Sequence, residues 1–381
     1  MREIQIRVNV KANPLQILFW WSILVLLTFQ VRYYNFYLPK EEVLYRDFKY
    51  ILGCSGFKVD NLDCSDYLYG GFLRFFLDQL TILHPYTELV VVTVICLSWV
   101  PLAYLFVQID KASFKILLLI LFLSPAIALL IQRGNLDILI FSLCWVAIKL
   151  FLRGKVSLSL LIVFLASSFK IYPVALFLLL VGFALIKDAS AKAKVFWVLL
   201  TGFALWSALI DVSNIPWLPS DARNSFGLRI FGEYFTYLFS GSGFQMLPLF
   251  GILLGVLILA FTTILMASSK FENCFPRYEV NLESAIWLLY FLAIFASGIS
   301  IDYRLLFLLP SLILMTELKK VMRYLVTVLL VLSFYLSYPF EILQVLGDIA
   351  LFSLLSFNIV LLYKNRELFF KQTNLWRSGA S

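Results

Sequence analysis

Charge and histidine are scarce in this chain. Only 14% of its residues are Asp, Glu, Lys or Arg, where a soluble globular domain carries about 25%. The composition therefore argues against a water-soluble fold. His84 is the single histidine. One imidazole excludes a metal site built from several histidines and argues against a Ser-His-Asp triad. Alternating segments of about ten residues are missing, which excludes a membrane β-barrel. Internal repeats, low-complexity tracts and a soluble domain are also missing. No small-residue cleavage site follows Val31, so the first apolar stretch reads as a retained helix rather than a signal peptide.

What fills the chain instead is apolar: 62% of residues are hydrophobic and the mean hydropathy is +0.91. Apolar runs long enough to cross roughly 30 Å of hydrocarbon recur throughout. The pattern predicts an all-α polytopic membrane protein of about twelve spans. They fall at 14–32, 87–108, 113–132, 136–152, 156–169, 173–187, 195–211, 244–267, 285–300, 304–318, 324–340 and 345–363. Residues 1–381 read as one membrane domain. The net charge of +8 follows from basic cytoplasmic loops and is not a nucleic-acid signal. With both termini inside, most of the 31 Lys/Arg residues fall in cytoplasmic segments. The short outer turns hold few, as the positive-inside rule requires.

Two outer segments exceed ordinary connectors: 33–86 and 212–243. Within them, Asp66 to Leu83 and Phe226 to Phe239 mix aromatics and Leu with few charges. Both read as helices lying in the membrane interface, or as simple caps on the bundle. Cys54 and Cys64 share the first loop, where a bridge would staple a short segment. Cys96, Cys144 and Cys274 read as thiols in spans or cytoplasmic segments.

Three cations sit at short outer turns, where the charge rule disfavours them: Arg133, Lys170 and Arg304. A cation held there needs an anionic partner, and a lipid phosphate is one. Arg133 belongs to Arg133-Gly134-Asn135-Leu136-Asp137. Gly134 permits a tight turn, Asn135 suits a helix cap and Asp137 suits the first helical turn. A guanidinium beside a helix N-terminus matches a phosphate bidentately. Lys170 belongs to Phe169-Lys170-Ile171-Tyr172-Pro173, with Pro173 presetting the next helix. Both cations also fit a snorkelling role at the interface. Arg304 follows Asp302 and Tyr303, and an Asp302–Arg304 pair fits a purely structural role too. In the first loop, Asp47 lies between Arg46 and Lys49, neighbours that keep a carboxylate ionised as a general base requires.

Taken together, the Arg-Gly-Asn-x-Asp turn, Lys170 to Pro173 one hairpin later, and Asp302-Tyr303-Arg304 before a late apolar span form a pattern. It resembles the polyprenol-phosphate-sugar-dependent glycosyltransferases of family 87, members of the GT-C superfamily. Asn224-Ser225-Phe226-Gly227 in the second long loop resembles a recurring element of the same group. The resemblance runs from the first loop to the tenth span. It implies a GT-C-like helical bundle with two long outer loops. It also implies inverting transfer of a hexose, often mannose, from a polyprenyl-phosphate sugar to a lipid or glycan acceptor outside the cell. An Asp of the first outer loop is the base in that family. Asp47 is the best positional match, with Asp66, just before Tyr69-Gly70, as the fallback. The chain departs from the mycobacterial mannosyltransferases in having no histidine in its later outer loops.

The resemblance further implies that the donor phosphate meets Arg133, Lys170 and Arg304, supported by Gly134, Asn135, Asp137, Tyr172, Pro173, Asp302 and Tyr303. The expected partners are the sugar lipid, its acceptor and membrane lipids, with no nucleic acid. No cofactor and no metal are expected, because Lys and Arg can neutralise a monophosphate ester. The expected home is a cell inner (plasma) membrane, with the site facing outward. The rival readings are a lipid-linked glycan polymerase or ligase and a sugar-lipid flippase. A flippase would place charges and broken helices near the bilayer midplane.

Overall fold

A computed structural model describes residues 13–33, 87–133, 135–170, 172–186, 192–193, 195–203, 225–226, 253, 256–257, 260–261, 263–264, 282–296, 300–301, 305–311, 320–336 and 341–364. Among these the fold is helical, apart from one two-residue antiparallel pairing. The expected first outer loop and most of the second lie outside the described residues.

The helices are α1 (Pro14–Tyr33), α2 (Thr87–Ser98), α3 (Val100–Gln108), α4 (Ala112–Phe122), α5 (Pro125–Arg133), α6 (Asp137–Leu152), α7 (Val156–Phe169), α8 (Pro173–Ile186), α9 (Leu282–Ala296), α10 (Lys320–Tyr335) and α11 (Glu341–Lys364). Residues 195–203 are also helical, and 305–311 form a tight 3₁₀ turn. The short pairing joins β1 (Ser225–Phe226) to β2 (Ser300–Ile301).

Among the described residues, three helical stretches are long and apolar enough to span a bilayer: Pro14–Val31, Leu89–Gln108 and Leu346–Tyr363. A fourth results if α4 and α5 count as one broken span. Other apolar helices are shorter, among them Val156–Ser167 and Pro173–Leu185. At 1.5 Å per residue, a 14-residue helix covers about 21 Å, short of the roughly 30 Å hydrocarbon core. The apolar helices are consistent with a membrane protein, and the described residues do not trace a bundle of twelve full spans.

One expected span is bent by 52° between α4 and α5, and another carries a single turn residue at Trp99; a proline follows each. Pro101 has no N–H to donate into the preceding turn, and the turn residue falls between α2 and α3. Pro125 occupies the first turn of α5, where its missing N–H costs nothing. Ser124 Oγ caps that helix by accepting from Ile127 N at 3.4 Å. At the other end of the α6–α7 hairpin, Gly154 has φ +78°, the left-handed conformation of a helix stop. Lys155 N then donates to Leu150 O and Gly154 N to Phe151 O, both at 2.9 Å.

The chain forms two compact units, interleaved along the sequence. One comprises Val10–Gln108 and Ala128–Pro219. In it α1 packs on α3, α6 on α2, α3 and α7, and α8 on α7 and α6. Tryptophans join α1 to the α2–α3 stretch: Trp21 Nε1 donates to Cys96 O at 2.7 Å, and Trp99 Nε1 donates to Thr28 Oγ1 at 2.9 Å. Trp20 stacks on Phe106 with centroids 4.4 Å apart. Ser142 Oγ of α6 donates to Ser98 O beside that turn.

The second unit comprises Met1–Asn9, Ile109–Ile127 and Ser220–Ser381. Here α10 packs on α11 and α4, and α9 packs on α11. Its interior holds the rings of Trp287, Tyr290 and Phe307, with centroids 5.6–6.4 Å apart. A single-domain chain was expected. Because each unit draws on separated stretches of sequence, no single cut would separate them.

Candidate functional site

The polar centre of the first unit lies where α6 begins and α7 ends. Asp137 opens α6 and is fully buried. Lys170 closes α7 in an extended conformation, with φ −144° and ψ 151°. These helices are antiparallel neighbours of similar length, 16 and 14 residues. The start of one therefore meets the end of the other. Lys170 Nζ lies 2.5 Å from Asp137 Oδ1. A carboxylate at a helix N-terminus and an ammonium at a helix C-terminus each also oppose the local dipole favourably.

Two more side chains complete the cluster. Asn135 Oδ1 accepts from Asp137 N, the first N–H of α6, at 2.9 Å. The same oxygen accepts from Lys170 Nζ at 2.9 Å. Tyr172, just before Pro173 opens α8, donates its hydroxyl to Asp137 Oδ1 at 2.9 Å. Asn135 and Tyr172 are buried. Burial makes the ion pair consequential. Taking both charges out of water is costly, and each partner offsets that cost for the other.

A further bond ties this centre to α1. Gln132 Nε2, three residues before Asn135, reaches Val31 O at 3.5 Å. The end of α1, from which the first long loop departs, thus lies beside the end of α5. Arg133 is the last residue of α5. Its side chain and Gly134 lie outside the described residues, as do Asp47, Asp66, Cys54 and Cys64.

In the second unit two short stretches pair through the backbone. Ser225 pairs with Ile301 and Phe226 with Ser300. Ser225–Phe226 therefore lies alongside Ser300–Ile301, the two residues that precede Asp302-Tyr303-Arg304 in the sequence. Residues 302–304 themselves lie outside the described residues.

Sequence reasoning placed Asn135, Asp137, Lys170, Tyr172 and Pro173 in one site; the structure brings the first four together, and Pro173 follows Tyr172 as the first residue of α8. It did not find that Lys170 has a partner within the protein. The signal was present: an acid in the first turn of one helix and a base at the end of its antiparallel neighbour. Among the described residues no group of three or more His, Cys, Asp or Glu side chains is placed to hold a metal ion.

Fold and site together define an apolar helical protein, consistent with membrane insertion, that carries a buried ion pair at one end of a helical hairpin. Comparison of the chain with protein-family models, curated proteins and solved structures gives no match.

Proposed function

We propose that the chain is a multi-span membrane glycosyltransferase of the GT-C type. It moves a hexose, mannose being the first candidate, from a polyprenyl-phosphate sugar to a lipid or glycan acceptor. Both termini face the cytoplasm and the site opens on the outer face of a plasma membrane. One observation carries this reading. Two of the sequence elements that resemble family 87 meet, Asn135/Asp137 with Lys170/Tyr172, and Ser225–Phe226 of a third pairs with Ser300–Ile301, which precede Asp302 in the sequence.

In this mechanism the polyprenyl chain lies between helices, and its phosphate is met by Arg133, Lys170 and Arg304. Asp47, or failing it Asp66, removes the proton from the acceptor hydroxyl. The resulting oxygen attacks the anomeric carbon from the side opposite the phosphate. The bond from that carbon to the phosphate oxygen breaks, the configuration inverts, and polyprenyl phosphate leaves. The largest electrostatic need is the charge growing on the departing phosphate, and fixed cations answer it without reorganisation. No resident cofactor enters this scheme. If metal-stripped protein regained activity only with Mn²⁺ or Mg²⁺, the cation-only version would fall.

The test is transfer of labelled mannose or glucose from polyprenyl phosphate to a total lipid extract, by purified protein in nanodiscs. Wild type should transfer label and Asp47→Asn should not. Transfer by both variants would move the base to Asp66. Label that only changes leaflets in liposomes would replace the transferase by a flippase.

A further inference from the structure

Three carboxamide oxygens are buried without a hydrogen-bond partner among the described residues: those of Gln108, Gln132 and Asn358. A buried acceptor that bonds nothing costs free energy, so each calls for a reason. Gln108 ends α3 and Asn358 lies within α11. Gln132 stands in the last turn of α5, three residues before Asn135 of the candidate site.

Its neighbours in α5 are apolar. Gln132 is 2% exposed, and Leu129, Leu130 and Ile131 beside it are buried. The nitrogen end has a partner: Nε2 reaches Val31 O of α1 at 3.5 Å. That contact fixes which way the amide points, because a carbonyl oxygen has no proton to donate to Val31 O. Oε1 takes no part in the tie to α1, and its acceptor capacity is open to a donor from outside the protein.

Position says what that donor is. The chain runs from Gln132 into Arg133, and the first long loop leaves α1 just past Val31. In the transferase reading the donor phosphate meets Arg133 and the base belongs to that loop, so the hexose lies between them. A hexose is neutral and presents hydroxyls that donate. A carboxamide oxygen accepts such a bond without bringing a charge.

We propose that Gln132 Oε1 accepts a hydrogen bond from one ring hydroxyl of the hexose and thereby selects the sugar. This deepens the transferase reading and rests on it for the identity of the ligand. The bound sugar satisfies the buried oxygen, and an analogue lacking that hydroxyl leaves it bare, which is how a polar site rejects a near-copy of its substrate.

Binding of octyl mannoside and octyl glucoside, below their micelle concentrations, tests this on the full chain in nanodiscs without requiring transfer. Each glycoside is compared with its monodeoxy analogues on wild type and on Gln132→Met, and thermal stability is read on the same samples. On wild type, loss of one particular hydroxyl should weaken binding about tenfold, the scale of a single hydrogen bond. On Gln132→Met the parent glycoside and that analogue should bind alike. A residue that only ties α5 to α1 would lower both affinities together and leave their ratio unchanged. Gln132→Leu repeats the comparison with a shorter apolar side chain.

Wild type that binds neither glycoside would overturn the proposal. So would deoxy analogues that lose the same factor in wild type and variants, or loss of the fold in both apolar variants, which would make Gln132 a structural tie. Sugar transfer by wild type with an unchanged ratio would end this inference and leave the transferase. A ratio that depends on Gln132, in protein that transfers no sugar from polyprenyl phosphate, would keep the sugar site and end the transferase.

Discussion

The α6–α7 and α10–α11 hairpins are built from similar apolar sequence and fastened in different ways. In α6–α7 some polar groups cross from helix to helix, while Ser167 Oγ donates to Val163 O within α7. Ser159 Oγ donates to Ala147 O at 2.7 Å, near the Gly154 turn. At the far end Lys170 meets Asp137. In α10–α11, Ser333 Oγ donates to Leu329 O and Asn358 Nδ2 to Leu354 O, each within its own helix. The two helices come close at Gly347. A Cβ on Gly347 would sit 3.4 Å from Leu332 O and from the backbone of Leu336. In hydrocarbon, a polar group must find a partner inside the protein. A hydroxyl that bonds its own helix meets that need and leaves the neighbour unspecified. One that crosses fixes register as well. The hairpin that places polar groups between its helices is also the one that holds the candidate site.

The contrast can be broken by substitution. The largest effect should come from Lys170→Met, which removes a charge partner from a buried carboxylate and should cost about 3–5 kcal/mol. Adding Asp137→Asn should recover most of that loss, read as unfolding in detergent. A double variant as unstable as the single would mean that the pair contributes more than charge balance.

Next is Gly347→Leu, which forces a large side chain between α10 and α11 and should cost about 1–3 kcal/mol. Gly347→Ala should be nearly neutral. Its Cβ finds ordinary to tight contact, while alanine gains about 0.5–1 kcal/mol of helix preference. Gly154→Ala should cost roughly 1–2 kcal/mol, because φ +78° is unfavourable for any residue with a Cβ.

The smallest effects sharpen the comparison best. Ser159→Ala should cost about 1 kcal/mol through loss of a buried hydrogen bond between helices. Ser333→Ala should be close to silent, because Leu329 O keeps its place in the helical ladder. Equal losses at both serines, measured by thermal unfolding of matched samples, would erase the distinction between the hairpins.

Much of the helical layout was legible in the sequence. The expected span at 156–169 coincides with α7, and that at 136–152 begins one residue before α6. Proline, glycine and charge punctuate both ends, and these act locally. The turn at Trp99 and the bend at Leu123–Ser124 were missed, although Pro101 and Pro125 stand beside them. A window that averages hydropathy does not register a lost backbone donor.

Within the site, residue identity was legible and partnership was not. Lys170 and Asp137 lie 33 residues apart. Their contact depends on two helices of matched length folding back on each other, which periodicity alone does not encode. Likewise nothing local to Ser225 announces that it will lie opposite Ile301.

The interleaving of the two units has a consequence for the order of synthesis. The unit containing α6 to α8 is complete once residue 219 has left the ribosome. The other unit is not, because α4 belongs with segments made much later. Tyr335 Oη, which donates to Ile120 O at 2.7 Å, arrives 215 residues after its acceptor. A chain made from its N-terminus must therefore hold α4 in waiting through more than half of translation. Truncations between residues 220 and 335 should leave the Lys170–Asp137 hairpin assembled while α4 stays open to crosslinking by lipid or translocon.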